Sequence, residues 1–313
     1  MKIVILDRAT FGSDMDVSIF DTLGDVTSYD ITNADETKQR VKDADIVLTN
    51  KVVLGENEIN GSSIKFIAIT ATGMNNVDLE YAKQNNIEVK NVAGYSSASV
   101  VQLAFVMIFY FIQKLDYYKK YVDGQNWQKS QTNMHIGKPF SEIDGKKVGI
   151  IGLGEIGSNL AKKVKAFDCE VVYYSTSGKN SNSEYKRVEL DELLKTSDII
   201  SIHCPLNDDT KDLLNYENMK TIKDGAILLN LGRGGIINEA DLAKIIDEKE
   251  IYCGIDVVSV EPIEESNPLL KVKNKDQLLL TPHIGWASIE ARTKLISLVA
   301  NNIKEFISQE KSL

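Results

Sequence analysis

The run Val148-Gly149-Ile150-Ile151-Gly152-Leu153-Gly154-Glu155-Ile156-Gly157 decides how this chain is read. Its apolar opening predicts a strand, its glycines form a GxGxxG loop, and Leu160, Ala161 and Val164 follow at helical spacing. A strand that passes through such a loop into a helix offers backbone N–H groups and a helix N-terminus to a pyrophosphate. Gly152 permits the tight turn, Gly154 lets the backbone approach phosphate, and Gly157 lets helix and strand pack closely, with Glu155 and Ile156 completing the dinucleotide loop. The next strand would normally end in an acidic residue that binds a ribose 2′-hydroxyl. Here Ser175 stands at that position, followed by Thr176, Ser177, Gly178 and Lys179. Hydroxyls and Lys179 can receive a 2′-phosphate that a carboxylate would repel, so NADP is at least tolerated beside NAD, and the preference stays open.

Outward from this motif, short β-branched runs alternate with helical stretches, the α/β pattern of parallel strands joined by helical crossovers. Upstream strand candidates are residues 3–6, 26–29, 46–49, 66–70 and 87–92; downstream they are 148–153, 170–175, 198–203, 226–231, 251–256 and 278–280. Two series predict two Rossmann-like parallel-sheet domains. Between them Ser99 and Gln102 have capping-box spacing ahead of apolar residues to Ile112, the start of a long helix. Residues 123–144, with Trp127 and His135, have no period and predict an extended loop or arm. Near the C-terminus, Leu295, Val299, Ile303 and Phe306 lie at helical spacing and predict an amphipathic terminal helix.

Composition bounds the function. A length of 313 residues suggests two domains, and 43% hydrophobic with 26% charged residues is ordinary for a globular chain. The 36 basic residues against 45 acidic ones give a net charge of −9, which speaks against a nucleic-acid or anionic-membrane binder. The longest apolar run, residues 104–112, falls well short of the roughly 20 residues that cross a bilayer. The N-terminus reaches Asp7 after four apolar residues, without a signal-peptide pattern, and a cytoplasmic location is expected. Cys169, Cys204 and Cys253 lie in apolar runs and read as buried thiols. With only His135, His203 and His283 and no metal-ligand spacing, no metal site is expected.

Three charged or ionisable residues lie beyond predicted strands. Arg233 sits in Asn230-Leu231-Gly232-Arg233-Gly234-Gly235, Glu261 in Asp256-Val257-Val258-Ser259-Val260-Glu261-Pro262, and His283 in Thr281-Pro282-His283-Ile284-Gly285-Trp286-Ala287-Ser288. Loops at the carboxyl ends of parallel strands are where α/β sheets bind ligands. An Arg, a Glu and a His converging beside a nicotinamide would make a hydride-transfer site for a 2-keto acid.

With these phrases in the same order, the chain resembles the D-isomer-specific 2-hydroxyacid dehydrogenases over essentially its full length, and Ser201-Ile202-His203-Cys204-Pro205-Leu206 adds to the likeness. The resemblance implies a cofactor domain, residues 99–282, inserted into a discontinuous substrate domain, residues 1–98 and 283–313. It implies that Arg233 binds the substrate carboxylate and keto oxygen, that His283 donates the proton, and that Glu261 bonds the other ring nitrogen and favours the charged imidazole. Backbone N–H groups around Thr72, Gly73 and Met74 would hold the carboxylate. Asp256 would accept from the nicotinamide carboxamide, and His203, Cys204 and Pro205 would line the cofactor, with Thr210, Leu231, Gly232, Arg233, His283 and Gly285 completing its contacts. Gln102 departs from the acidic residue common in the family.

Leu48-Thr49-Asn50-Lys51 and the Trp286 phrase most resemble the glycerate dehydrogenase or hydroxypyruvate reductase branch. Lys51 would add charge for a small carboxylate, and Trp286 would wall a compact pocket. Hydroxypyruvate and D-glycerate are the expected pair, with glyoxylate or pyruvate as alternatives. The resemblance also implies a homodimer through the cofactor domain, with Trp127 reaching the partner, and no regulatory domain is expected after Leu313. A cofactor-sensing binding protein like the corepressors of this fold is the alternative, disfavoured by acidic charge and the lack of extra tails. Formate oxidation is disfavoured because formate enzymes of the family carry Gln where Glu261 stands.

Overall fold

The computed structural model describes residues 1–311. Two compact units form: Met1–Ser96 together with the chain from Ala287 onward, and Ser97–Trp286.

In the first unit, strands β1 (Lys2–Ile5), β2 (Asp25–Ser28), β3 (Ile46–Thr49), β4 (Phe66–Ile69) and β5 (Glu88–Lys90) form a parallel sheet in the order β2-β1-β3-β4-β5. Helices α1 (Ala34–Val41), α2 (Glu56–Ile59) and α3 (Leu79–Gln84) supply crossovers. Every residue of β3 and β4 is buried, as parallel strands covered on both faces require. The C-terminal helix, Ile289–Glu310, belongs to this unit: Ser288 caps it, Phe306 stacks on Phe66 at 4.8 Å, and Arg292 pairs with Asp14 at 2.6 Å. Its buried face holds Leu295, Val299, Ile303 and Phe306, the residues whose spacing predicted it.

The second unit runs through α4 (Ser97–Ile112), α5 (Leu115–Asp123), β6 (Lys147–Ile151), α6 (Glu155–Lys165), β7 (Glu170–Tyr174), β8 (Lys186–Arg187), α7 (Leu190–Thr196), β9 (Ile199–Ile202), α8 (Tyr216–Met219), β10 (Ala226–Asn230), α9 (Glu239–Glu248), β11 (Ile251–Ile255) and β12 (Leu278–Leu280). Its parallel sheet has the order β12-β11-β10-β9-β6-β7-β8. The order reverses at β6, between β7 and β9, and a crevice at the carboxyl ends of strands forms at such a point. Helix α6 buries Leu160, Ala161 and Val164 against this sheet; truncating Leu160 to Ala would cost about 2–5 kcal/mol.

Three expectations shift. Helix α4 starts at Ser97, so Ser99 lies inside its first turn instead of capping it with Gln102. The chain returns to the first unit at Ala287, not at residue 283, because Asp256 holds the backbone of Ile284 and Gly285 within the second unit. The other boundary falls at Ser97, whose hydroxyl is tied to Glu155 of that same unit. Between α5 and β6 the chain is irregular apart from the short turn Trp127–Lys129, and His135 stacks on Tyr121 while its Nε2 meets the Tyr117 hydroxyl at 2.8 Å.

The three thiols are buried; burial pushes Cys204 up to about 11 and raises Cys169 and Cys253 as well. Among the described residues no single helix is long and apolar enough to cross a membrane, and α4 and α5 taken together are bent by 64°.

Candidate active site

The glycine loop follows β6 as its sequence requires. Gly152 has φ +91°, and a Cβ there would lie 2.7 Å from the Cys204 backbone nitrogen, so the absent side chain lets the loops after β6 and β9 touch. A Cβ on Gly157 would stand 2.3 Å from the Gly152 carbonyl, whereas one on Gly154 would meet open space at the start of α6. The loop is therefore closed on its packing side and open where a phosphate approaches. Ile156 is half-buried against the core, and Glu155 is exposed with its carboxylate accepting from Ser97 Oγ at 2.5 Å.

Among the described residues two buried polar atoms at this end of the sheet have no partner: Ser175 Oγ and His203 Nδ1. Buried polar groups are ordinarily bonded, so such atoms mark places where a ligand can supply the missing bond. Ser175 is the first residue after β7, and Asn180 Nδ2 donates to the Leu153 carbonyl at 2.6 Å, folding residues 175–180 back onto the glycine loop. His203 binds Ser201 Oγ through Nε2 at 2.8 Å, and burial drives its ring down to about 4, so it stays neutral at ordinary pH. The glycine cradle, Ser175 and His203 together fit an adenine dinucleotide. Thr176 and Lys179 lie on the same turn, Lys179 exposed. Cys204 is buried and Pro205 exposed in the loop after β9. The Thr210 hydroxyl is bonded inside that loop, to the Pro205 carbonyl at 2.7 Å and to Asn207, and its side chain is wholly buried.

Arg233, Glu261 and His283 come from the loops after β10, β11 and β12, and those loops are laced together. A Cβ on Gly234 would sit 2.0 Å from Val258 backbone atoms, so only glycine lets the Arg233 loop seat on the loop that carries Glu261. Asn230 braces the first loop, accepting from Gly232 N at 3.1 Å and donating to the Arg233 carbonyl at 2.9 Å. The Arg233 guanidinium makes one bond, to the Gly232 carbonyl at 2.8 Å, and is half-buried. Leu231 is buried beneath this loop. His283 Nδ1 meets Glu261 Oε2 at 2.7 Å, with both side chains about a quarter exposed. His283 has φ +52°, an uncommon backbone conformation outside glycine, and its N–H is held by the Asp256 carbonyl at 2.9 Å.

Asp256 shows a function its residue type did not reveal. Its buried carboxylate accepts from Thr281 Oγ1 at 2.6 Å, Ile284 N at 2.9 Å and Gly285 N at 2.8 Å. It thus clamps the turn that carries His283, and a Cβ on Gly285 would press within 2.9 Å of its Oδ2. Trp286, the next residue but one after Ile284, is partly buried.

In the first unit, the expected substrate residues come from the loops after two neighbouring strands. Lys51 follows β3; Thr72, Gly73 and Met74 follow β4, with Thr72 Oγ1 bonded to the Val92 carbonyl at 3.0 Å and Asn91 Nδ2 to the Thr72 carbonyl at 2.6 Å. Asp7, which the sequence did not single out, organises the first loop: its buried carboxylate accepts from the backbone N–H groups of Asn50 at 2.8 Å and Lys51 at 2.7 Å. Burial nevertheless holds its carboxyl above the usual range, against the lowering effect of those bonds. Among the described residues no group of three or more His, Cys, Asp or Glu is arranged to hold a metal ion.

An open glycine cradle on a parallel sheet, beside an Arg and a Glu–His pair, defines a nicotinamide-dependent oxidoreductase. Residues 105–285 match the model for the D-isomer specific 2-hydroxyacid dehydrogenase NAD-binding domain. The chain is 38% identical to a hydroxypyruvate reductase of Blautia hydrogenotrophica, over 98% of its own length and 97% of that relative. It is 31% identical to a glycerate dehydrogenase of Methylorubrum extorquens, over 98% and 96%. A solved structure of an acyclic imino acid reductase in complex with NADPH and D-Arg superposes with a TM-score of 0.85 at 28% identity, covering 99% of this chain and 98% of that one. The chain belongs to the D-isomer specific 2-hydroxyacid dehydrogenase family, enzymes that act on CH–OH groups with a nicotinamide cofactor.

Proposed function

We propose that this protein interconverts hydroxypyruvate and D-glycerate, using NADH or NADPH. The observation that carries the reading is the 2.7 Å contact between His283 Nδ1 and Glu261 Oε2 in loops laced to that of Arg233. Identity to a hydroxypyruvate reductase and to a glycerate dehydrogenase supports the substrate. A nicotinamide cofactor, when bound, would supply hydride to the keto carbon or accept it from the alcohol carbon. Glu261 takes the Nδ1 proton of His283 as a hydrogen bond, which fixes the ring so that Nε2 gives a proton to the nascent alkoxide and recovers it in the reverse direction. Arg233, which meets no carboxylate among the described residues, holds the substrate carboxylate and polarises the keto oxygen through its planar fork. Backbone N–H groups of Thr72, Gly73 and Met74 bind the carboxylate, and Lys51 and Trp286 restrict the substrate to a small acid.

Cofactor contacts fall to Gly152, Gly154, Glu155, Ile156, Gly157, Ser175, Thr176, Lys179, His203, Cys204, Pro205, Thr210, Leu231, Gly232, Arg233, Asp256, His283 and Gly285. The buried, unpartnered Ser175 hydroxyl in place of a carboxylate supports tolerance of a 2′-phosphate. The test is initial-rate reduction of hydroxypyruvate, glyoxylate and pyruvate, each with NADH and with NADPH. Hydroxypyruvate should be the best substrate; turnover of none of the three would remove the reading.

The working unit is a homodimer. Leu115, Val122, Trp127, Met134, Ile136 and Phe140 are all exposed within residues 115–140 of the second unit, and large apolar side chains left to solvent are what a subunit interface covers. Light scattering should give twice the 34.8 kDa chain mass, and Ile136→Asp with Trp127→Ser should halve it.

A further inference from the structure

Most arginines here have a settled employment. Arg40 pairs with Glu36, Arg292 with Asp14, and Arg8 donates to the carbonyls of Gly12 and Met15. Arg233 and Arg187 differ: each guanidinium makes a single bond to a backbone carbonyl, and among the described residues neither meets a carboxylate. In a chain with a net charge of −9, a cation without an anion is a conspicuous arrangement. Arg233 already has an anion to bind in the reading above. Arg187 does not.

Its position supplies one. Arg187 pairs with Tyr173 across β7 and β8, beside the strand that leads to Ser175. Its Nη1 donates to the Gly178 carbonyl at 2.8 Å, so the guanidinium is pinned to the turn formed by residues 175–178, where Gly178 has φ +68° and its N–H reaches back to the Ser175 carbonyl. The same turn carries Lys179, whose ammonium also meets no carboxylate among the described residues. The Asn180 bond to Leu153 fixes this turn to the glycine loop. One loop cluster therefore brings together a phosphate cradle and, among the described residues, a buried hydroxyl with no partner and two cations with no counter-charge.

We propose that Arg187, with Lys179, binds the 2′-phosphate of NADPH and makes NADPH the preferred cofactor. This rests on the dinucleotide reading of the site and adds a residue and a direction to it. The Gly178 bond fixes one edge of the planar guanidinium and leaves its other N–H groups for phosphate oxygens, a charge-assisted geometry in which Arg excels. Ser175 contributes by not being an acid: a carboxylate there would repel the phosphate and pair with the guanidinium itself.

The test compares adenosine 2′,5′-bisphosphate with AMP, which differ only in the 2′-phosphate, by calorimetric titration of the full-length protein and of Arg187→Gln and Arg187→Lys. The native protein should favour the bisphosphate by about 10- to 100-fold, the range of one or two charge-assisted bonds. Arg187→Gln should remove most of that preference while the AMP affinity stays within about twofold, and Arg187→Lys should restore part of it. Equal binding of the two nucleotides by native protein overturns the proposal, as does a preference that survives Arg187→Gln. A parallel loss of AMP and bisphosphate in both variants also overturns it, because Arg187 would then only hold the turn. If NADH-driven hydroxypyruvate reduction persists while the preference is absent, this inference alone falls. If native protein binds neither nucleotide, the dinucleotide reading falls with it.

Discussion

His283 Nδ1 lies 2.7 Å from Glu261 Oε2, although 22 residues separate the two in sequence. The contact leaves Nε2 as the ring atom available for proton exchange. Removing the imidazole should lower hydroxypyruvate reduction by about 10²–10⁴-fold, the usual share of a positioned acid–base group. NADPH affinity of His283→Ala should fall far less than the rate, because one cofactor contact among many is lost while the only proton donor is removed. Glu261→Gln keeps the shape but loses the charge, and should reduce kcat more than it raises KM. Stopped-flow binding and steady-state rates on both variants check this; a Glu261→Gln enzyme with native kcat would remove the carboxylate from the mechanism.

Asp256 holds the turn that carries His283 through the backbone. Three donors from residues 281–285 converge on its carboxylate, and its own carbonyl holds the His283 N–H. Asp256→Asn turns one acceptor oxygen into an N–H₂ that faces another donor, which costs about 1–3 kcal/mol where the group is buried. The turn should loosen and kcat should drop at least tenfold, with the melting temperature lowered by several degrees. Hydrogen exchange at Ile284 and Gly285 should quicken. Native protection there, with kcat lost, would point instead to a direct contact with the nicotinamide carboxamide.

The strands were legible because buried parallel strands are written in unbroken β-branched runs; β3 and β12 begin and end where the pattern places them. Strand β8 was not, since Lys186 and Arg187 are polar, exposed and only two residues long. The start of α4 was misplaced at Ser99 because local capping spacing competes with a tertiary bond, Ser97 to Glu155 across 58 residues, which no local pattern encodes. The glycine loop's chemistry could be argued from its residues alone. Joining Arg233, Glu261 and His283 needed the family resemblance, because the glycine seat at Gly234 and the Asp256 clamp that unite their loops are long-range packing. Asp7 and Arg187 escaped notice for the same reason.

His203 makes the second unit sensitive to acid. Burial holds its folded-state value at about 4 against 6.5 for a free imidazole. Between those values the unfolded chain binds the proton and the folded chain does not, so stability is complete above about pH 6.5 and falls as pH drops toward 4. The loss from this one ring is on the order of 3 kcal/mol by pH 4. Urea unfolding of native protein and His203→Asn at pH 7 and pH 4.5 measures it. The variant should start less stable at pH 7, having lost the Ser201 bond, and then show a shallower acid decline. Parallel declines would mean that other groups govern the acid limb.

Glu155 poses an electrostatic problem that Ser97 answers. The residue opens α6, where helix N–H groups favour an anion, and in the proposed function the same N-terminus receives phosphate. Its carboxylate is drawn to Ser97 Oγ at 2.5 Å, so its charge is held by a hydroxyl at the start of another helix. In Ser97→Ala the carboxylate is released to compete for the helix terminus. Effects of charge at that position are about 0.3–1 kcal/mol, which predicts NADPH and NADH binding weaker by roughly two- to fivefold, with kcat at saturation unchanged. Because the cause is charge, Glu155→Gln in the Ser97→Ala background should restore affinity, and added salt should shrink the gap between single and double variants. Fluorescence titration of the reduced cofactors across the four proteins of this cycle gives the answer. A loss that persists in the double variant would mean that Ser97 matters for seating α4, and that the charge of Glu155 is indifferent to the phosphate.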